Sequence, residues 1–132
     1  MSTRTAEQRR ADARVAHNRD LDGCPGHAIL SILAERWTTL VLEALAEGPR
    51  RHAELARAVP GATQRMLTRT LRRLERDGLV TRTVTAQVPV RVDYALTELG
   101  TDLFELQQSV LRFGRRRIDD IREARRRYDS GS

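Results

Sequence analysis

Four arginines recur at intervals of three and four residues near the middle of this 132-residue chain. They are Arg65, Arg69, Arg72 and Arg76. At about 100° per helical residue they fall within an arc of about 60°, so their side chains share one face. A guanidinium group keeps its charge and donates forked hydrogen bonds that match phosphate oxygens or the edge of guanine. The spacing therefore predicts a face that binds anions.

The opposite side of this helix is apolar. Leu71 and Leu74 lie within about 40° of Leu67, which predicts a stripe that packs against a core. Polar side chains close to the arginines can add contacts to phosphates or base edges. These side chains belong to Thr63, Gln64 and Thr68.

Charge is distributed unevenly along the chain. All 24 basic residues are arginine, and the formal net charge is +6. Residues 63–76 hold five arginines against one acid, and residues 112–127 hold eight against three, whereas residues 35–57 are balanced. A run of charge is usually a solvated surface, and a GC-rich genome also favours Arg over Lys. The segregation onto one helix nevertheless favours a nucleic-acid face.

The arginine-bearing helix needs a preceding element to position it. A short amphipathic helix is expected at about 51–59, and Pro60-Gly61 then forces a turn. The arginine helix begins after Thr63, a good N-cap, and ends at Gly78, which tolerates the left-handed backbone of a helix C-terminus. Two helices joined by such a turn form a helix-turn-helix pattern.

A β-hairpin is predicted directly after this helix. Two segments lie between residues 79 and 96. The first is rich in β-branched side chains, and the second alternates apolar with polar side chains. The ribbon could reach phosphate or a minor groove through Arg82, Arg91 or Gln87 at its tip. Alternatively, the two arginines pair with Asp93 or face solvent.

Further helices are expected on both sides of this region. Apolar helices are predicted around residues 28–33 and 40–45, and residues 1–22 form an arginine-rich arm that is either helical or disordered. A last helix from Thr97 to about Arg127 carries apolar residues at a 3-4-3 spacing, which is typical of packing against a partner helix. The residues of this seam are Leu103, Leu106, Val110 and Phe113.

Cys24 is the single cysteine and the one residue with possible redox chemistry. It cannot form a disulfide within the chain, which fits a reducing cytoplasm. Its position before Pro25 at a helix start, near His27 or Arg36, favours the reactive thiolate. The alternative is a small thiol without a role.

Other site chemistry has little support. Trp37 either packs in the core or a dimer interface, or stacks on a small aromatic effector. Cys24 and His27 alone do not complete a zinc site, so no metal or cofactor is expected. Phosphate-loop and nucleophile-elbow motifs are absent, so no enzyme is expected. No segment approaches the roughly 20 apolar residues that span a bilayer, and residues 1–20 lack the apolar h-region of a secretory signal, so export by that route is not expected.

A dense set of short motifs runs from about Cys24 to Phe113. They are Cys24-Pro25, Glu35-Arg36-Trp37-Thr38, Leu45 to Pro49, Arg51-His52-Ala53-Glu54-Leu55, Gln64-Arg65-Met66-Leu67-Thr68, Leu71-Arg72-x-Leu74-Glu75-x-Asp77-Gly78-Leu79-Val80, Val88-Pro89 and Val92-Asp93-Tyr94-x-Leu96-Thr97-x-Leu99-Gly100. Together they resemble the HxlR-type winged-helix transcriptional regulators, relatives of the MarR group.

The resemblance implies a dimeric winged-helix DNA-binding protein. Its fourth helix would enter the major groove and its last helix would dimerise. In several members a cysteine that precedes proline, as Cys24 does, senses oxidants or electrophiles, and related folds often hold an effector pocket. The chain departs from the family at His52, where Phe is usual, and in its arginine-rich tail, residues 115–127.

The expected fold is therefore mainly α with a small β-hairpin, a winged helix-turn-helix that is dimeric through its terminal helices. Three segments are expected. Residues 1–22 form an N-terminal arm, residues 23–113 form the DNA-binding part with the start of the dimerisation helix, and residues 114–132 form an arginine-rich end. The expected function is sequence-specific regulation by a cytoplasmic homodimer on an inverted repeat of double-stranded DNA.

Two other functions remain open from the sequence. The first is a sequence-neutral architectural DNA-binding protein driven by its arginine charge. The second is membrane-surface binding by the tail, for which Ile118, Ile121 and Tyr128 give only a thin apolar face, so no membrane partner is expected.

Overall fold

The computed structural model describes residues 5–131, with the backbone alone for residues 15–22. The first four residues of the predicted arm lie outside the described residues. The chain divides into two compact units, one that ends at Arg36 and one that begins at Trp37. None of the described helices is long and apolar enough to cross a membrane. The functional division predicted at residues 22 and 113 stays a prediction.

The first unit consists of two helices, α1 (Ala6–Gly23) and α2 (Pro25–Ala34). The arm, for which the sequence leaves helix and disorder open, is therefore helical from Ala6. Cys24 has an extended backbone as the N-cap residue of α2, and Pro25 follows at the first helical position. Proline suits this position because the amide hydrogen that it lacks would have no partner within the helix.

The second unit contains the helix-turn-helix pair. Its elements are α3 (Thr38–Ala46), β1 (Arg50–Arg51), α4 (His52–Ala58), α5 (Gln64–Arg76), β2 (Val80–Thr85), β3 (Arg91–Leu96) and α6 (Glu98–Ser130). The predicted fourth helix is α5, and Thr63 is its N-cap residue as expected. The predicted last helix is α6, which continues three residues beyond Arg127 to Ser130.

The sheet has three strands, whereas the sequence predicts a two-stranded hairpin. β2 and β3 pair antiparallel from Val80 opposite Leu96 to Thr85 opposite Arg91. β1 joins the other edge of β3, so the strand order is β1-β3-β2. A strand of two arginines has no hydrophobic alternation, and it is extended because the free edge of β3 offers backbone hydrogen-bonding partners.

The core of the second unit is built around α3, which packs against α4, α5, α6 and β3. Val41, Leu42 and Leu45 of α3 are buried, as the sequence predicts, while Leu40 is 38% exposed. The predicted stripe of α5 is fully buried with them, and burial of each leucine contributes about 1.5–3 kcal/mol. The other buried apolar residues are Leu55, Val59, Leu79, Val80, Tyr94 and Leu103.

Thr97 connects the end of α5, the start of β2 and the start of α6. Its Oγ1 donates a hydrogen bond to the carbonyl oxygen of Gly78 at 2.7 Å and accepts one from the amide of Gly100 at 3.0 Å. Its own amide donates to the carbonyl oxygen of Leu79 at 3.1 Å. A Cβ atom at Gly100 would collide with that same carbonyl oxygen, so only glycine permits this crossing.

Candidate nucleic-acid interface

α5 exposes its arginines because its leucines are buried. At its N-terminus, Thr63 Oγ1 accepts a hydrogen bond from the amide of Met66 at 3.1 Å. At its C-terminus, Gly78 takes a φ of +76°, a left-handed conformation that favours glycine. The side chains that project from the opposite face are those of Arg65, Arg69, Arg72 and Arg76, all exposed.

An open groove of 1190 Å³ runs along α4 and α5. α4 lines it with His52, Ala53 and Ala56. α5 contributes Gln64, Thr68 and five arginines, and no acidic side chain lines the groove. The structure thus brings six of the predicted DNA-binding residues onto one positively charged surface.

The arginines of the chain differ in their partners. Among residues with described side chains, no acid pairs with Arg65, Arg69, Arg72 or Arg76. In the C-terminal half of α6, four arginines pair with acids at 2.7 to 3.4 Å. These arginines are Arg117, Arg122, Arg126 and Arg127. The charge of the α5 face therefore has no paired acid within the described protomer, and these arginines repel one another.

His52 links the two helices of the motif. Its Nε2 lies 3.0 Å from Thr68 Oγ1 in a part-buried hydrogen bond between α4 and α5. The family resemblance implies Phe at this position. The imidazole instead satisfies a polar partner at the floor of the groove, a contact that no local sequence pattern could reveal.

The hairpin places its predicted contact residues in different surroundings. Arg91 Nε pairs with Asp93 Oδ2 at 2.9 Å, which is the alternative that the sequence left open for it. Arg82 has no acidic partner among the described side chains and lies in β2 next to α5. Gln87 is exposed in the tip between the strands. Arg82 and Gln87 thus remain available to a ligand.

α6 has one face toward its own domain and another that is open. Leu103 is buried in its own protomer, so it is unavailable to a partner helix. Leu106, Val110 and Phe113 are 48%, 54% and 54% exposed. Gln107 was not predicted to have a role, yet its buried Nε2 donates to the carbonyl oxygen of Thr39 at 2.9 Å. Its spacing of four residues from Leu103 is the signal that assigns both to one face.

The two candidate sensor residues lie in different units. Cys24 is exposed and is a free thiol. Trp37 is half-buried beside the turn of the motif, since a Cβ atom at Gly61 would lie 3.6 Å from its Cη2. No cluster of three or more His, Cys, Asp or Glu side chains that could bind a metal occurs among the residues described.

Comparison with known proteins decides the family. Residues 32–122 match the HxlR-like helix-turn-helix family. The chain belongs to this family. As an HxlR-like protein it is a DNA-binding transcriptional regulator of the helix-turn-helix type, and the resemblance of its motifs is confirmed. Cys24 lies before the matched residues.

Relatives of known sequence support the HxlR-like assignment. YdeP of Bacillus subtilis is 40% identical over 113 residues, which cover 83% of this chain and 88% of that protein. YtfH of Escherichia coli is 39% identical over 82 residues, which cover 62% of this chain and 65% of that protein. Both are described as uncharacterized transcriptional regulators of the helix-turn-helix type.

Solved structures support the winged-helix fold of this HxlR-like chain. The redox regulator HypR in its reduced form matches with a TM-score of 0.70 at 35% identity, and the match covers 76% of this chain and 99% of the HypR chain. Diamide-treated YodB of B. subtilis matches with a TM-score of 0.64 at 35% identity, and the match covers 70% of this chain and 93% of the YodB chain.

Proposed function

We propose that this regulator is a homodimer that binds an inverted-repeat operator through α5. The observation that carries the proposal is the α5 face itself, four exposed arginines without acidic partners in the described protomer, opposite a fully buried leucine stripe. Such a helix can enter the major groove, where guanidinium groups read guanine and the shorter Gln64 and Thr68 add contacts. Its leucine stripe anchors it to the core.

The open face of α6 supports the homodimer. Leu106, Val110 and Phe113 form an apolar seam that a second copy of the helix would cover. A two-fold dimer presents its recognition helices about 34 Å apart, one turn of duplex, and therefore selects an inverted repeat.

The decisive experiment is footprinting followed by titration. The protein is footprinted on the DNA upstream of its own gene, and its affinity for the protected duplex is compared with that for random DNA at the same salt concentration. A ratio above about 10³ is expected for a specific regulator. A ratio near one would instead support the architectural alternative. Salt dependence alone would not separate the two functions, because a specific regulator and an architectural protein both show a steep slope.

We further propose that Cys24 makes this binding responsive to oxidants or electrophiles. The support is an exposed free thiol in this chain, and two structural neighbours described as a redox regulator and as a diamide-treated protein. With diamide as the oxidant, two thiols lose two protons and two electrons to the diazene and join as a disulfide between subunits. An adduct with a quinone or a mixed disulfide is the equivalent route for one thiol.

The redox proposal is tested on the footprinted duplex. We expect diamide to change the titration of the wild-type protein, dithiothreitol to restore it, and Cys24→Ser to remove the response. An unchanged wild-type titration contradicts the sensor.

A small aromatic effector at Trp37 is the second route to regulation. The supporting observation is that Trp37 is half-buried and lies beside the Pro60-Gly61 turn, where stacking would affect the helix pair. Because Trp37 is the single tryptophan, its fluorescence reports binding directly. Effectors that quench this fluorescence are expected to shift the DNA titration, and quenching without a shift would contradict the route.

A further inference from the structure

A second, smaller cleft opens between α5 and the sheet. It has a volume of 730 Å³ and is lined by Thr68, Arg72, Glu75, Arg76, Arg82 and Tyr94. Arg82 and Tyr94 are directly opposite each other on β2 and β3, so their side chains share the face of the sheet that borders α5. Arg72 and Arg76 also line the larger groove, whereas Arg82 and Tyr94 line only this cleft.

The cleft collects hydrogen-bond donors that have no acceptors. Arg72, Arg76 and Arg82 have no acidic partner among the described side chains, although Glu75 lies on the same cleft. Tyr94 is 8% exposed, and its phenol hydroxyl makes no hydrogen bond among the described residues. Three guanidinium groups and one phenol hydroxyl therefore line the cleft against a single carboxylate, that of Glu75, and this excess of donors suits a phosphate, which accepts hydrogen bonds through several oxygens.

The cleft lies between α5 and the hairpin, the two elements for which DNA contacts are predicted, and this position favours a duplex as the source of that phosphate. The major and minor grooves of a duplex are separated by a sugar-phosphate strand. If α5 occupies the major groove and the β2–β3 ribbon reaches toward the adjacent minor groove, one strand passes between them. The cleft is the part of the surface that lies between the same two elements.

We propose that this cleft binds one backbone phosphate of the operator in each half-site. Arg82 and Arg76 supply the charge, and Tyr94 donates its hydroxyl hydrogen. The inference rests on the proposed binding of DNA by α5 and assigns different roles to the residues of that surface. Gln64, Arg65 and Arg69, which border only the larger groove, are left to read bases, while the residues of the cleft fix the register.

The test compares three conservative variants on the footprinted duplex and on random DNA. Tyr94→Phe keeps the buried ring and is expected to weaken both complexes by about 3- to 10-fold, with their ratio unchanged. Arg82→Gln is expected to reduce the slope of log K against log salt by about 0.9 for each phosphate that is no longer neutralised. Glu75→Gln removes the one acid of the cleft and is expected to strengthen both complexes.

Arg57→Gln is the matched control, because Arg57 is exposed on α4 and lines neither cleft nor groove. Its salt slope should equal that of the wild type. A single neutral methylphosphonate linkage, moved along the duplex, locates the contact. One linkage per half-site should weaken the wild-type complex, and the same linkage should have little effect on Arg82→Gln.

The outcomes separate this inference from the proposed function. If the wild type prefers the footprinted duplex but Tyr94→Phe and Arg82→Gln bind with unchanged affinity and slope, the phosphate site is wrong and the operator proposal stands. If Arg82→Gln changes the base preference and leaves the slope unchanged, the cleft reads a base and the inference is also wrong. If the wild type shows no preference, the operator proposal fails, and the slope on random DNA still decides the phosphate site.

Discussion

Replacement of Arg69 tests recognition by a side chain that is not part of the core. It is exposed in the larger groove and has no acidic partner among the described residues. We expect Arg69→Ala to weaken operator binding by about 1–3 kcal/mol, the value of one bidentate contact to guanine. Fluorescence anisotropy with the footprinted duplex measures the loss.

Arg122→Ala provides the control for Arg69. Arg122 is also exposed but pairs with Asp119 at 3.4 Å on α6. Its removal should leave operator affinity within about twofold, because Arg122 lines neither the groove nor the cleft. Folding should also be little affected, since an exposed pair contributes only about 0–1 kcal/mol to stability. Wild-type affinity in both Arg69→Ala and Arg72→Ala would show that α5 is not the reading helix.

The His52–Thr68 hydrogen bond should be measurable as a coupling between α4 and α5. In a cycle of His52→Ala, Thr68→Val and the double variant, we expect an interaction energy of about 0.5–1.5 kcal/mol, as for one part-buried hydrogen bond. Urea unfolding of the four proteins gives this energy. Additive effects would mean that the contact does not stabilise the helix pair.

The side chains show which contacts a sequence can predict. The N-cap role of Thr63 and the buried stripe of α5 follow from residues within a few positions of one another, and both are present in the structure. His52 and Thr68 are 16 positions apart, and their contact depends on the angle between two helices. Arg82 and Tyr94 likewise meet only once the strands pair.

Substitutions at two glycines of α6 test how closely this helix packs against the rest of its domain. Gly100→Ala brings a Cβ atom against the carbonyl oxygen of Leu79 and is expected to destabilise the protein by about 1–3 kcal/mol, as overpacking does. Gly114→Ala meets no atom within 4 Å and is expected to stabilise the helix by about 0.5–1 kcal/mol. Chemical denaturation distinguishes the two. Equal effects would show that α6 does not approach the backbone of Leu79 closely.

Most of the elements could be predicted from local sequence, and the exceptions share one cause. The ends of α5 follow from Thr63 and Gly78, and the hairpin follows from its β-branched residues. β1 could not be predicted because two arginines are extended only by pairing with β3. The apolar spacing of α6 likewise could not show that Leu103 packs on its own core while Leu106 remains open.

The assembly of two protomers should depend on the open face of α6. Leu106→Glu or Val110→Glu would introduce a charge into an apolar seam and is expected to give a monomer that keeps its fold but loses tight operator binding. Sedimentation at micromolar concentration checks the mass, and circular dichroism checks the fold.

Val88→Glu is the control for the seam variants, since it makes the same kind of change at an exposed residue of the hairpin tip. It should remain dimeric. A wild-type protein that sediments as a monomer at micromolar concentration would contradict both the seam and the inverted-repeat operator.

The hydrogen bonds of Thr97 link a tilt of α6 to the position of α5. From Phe113 to Thr97 the helix rises about 24 Å, so a tilt of about 8° at the seam moves Thr97 by about 3 Å. Because Thr97 is hydrogen-bonded to Gly78, just after α5, we expect that displacement to move α5 as well. Successive base pairs are stacked about 3.4 Å apart, so in the proposed dimer a tilt of this size would shift one α5 helix by about one base-pair step relative to the other. In the proposed dimer, small rotations between the two α6 helices would therefore adjust the spacing between the half-sites that the protein binds.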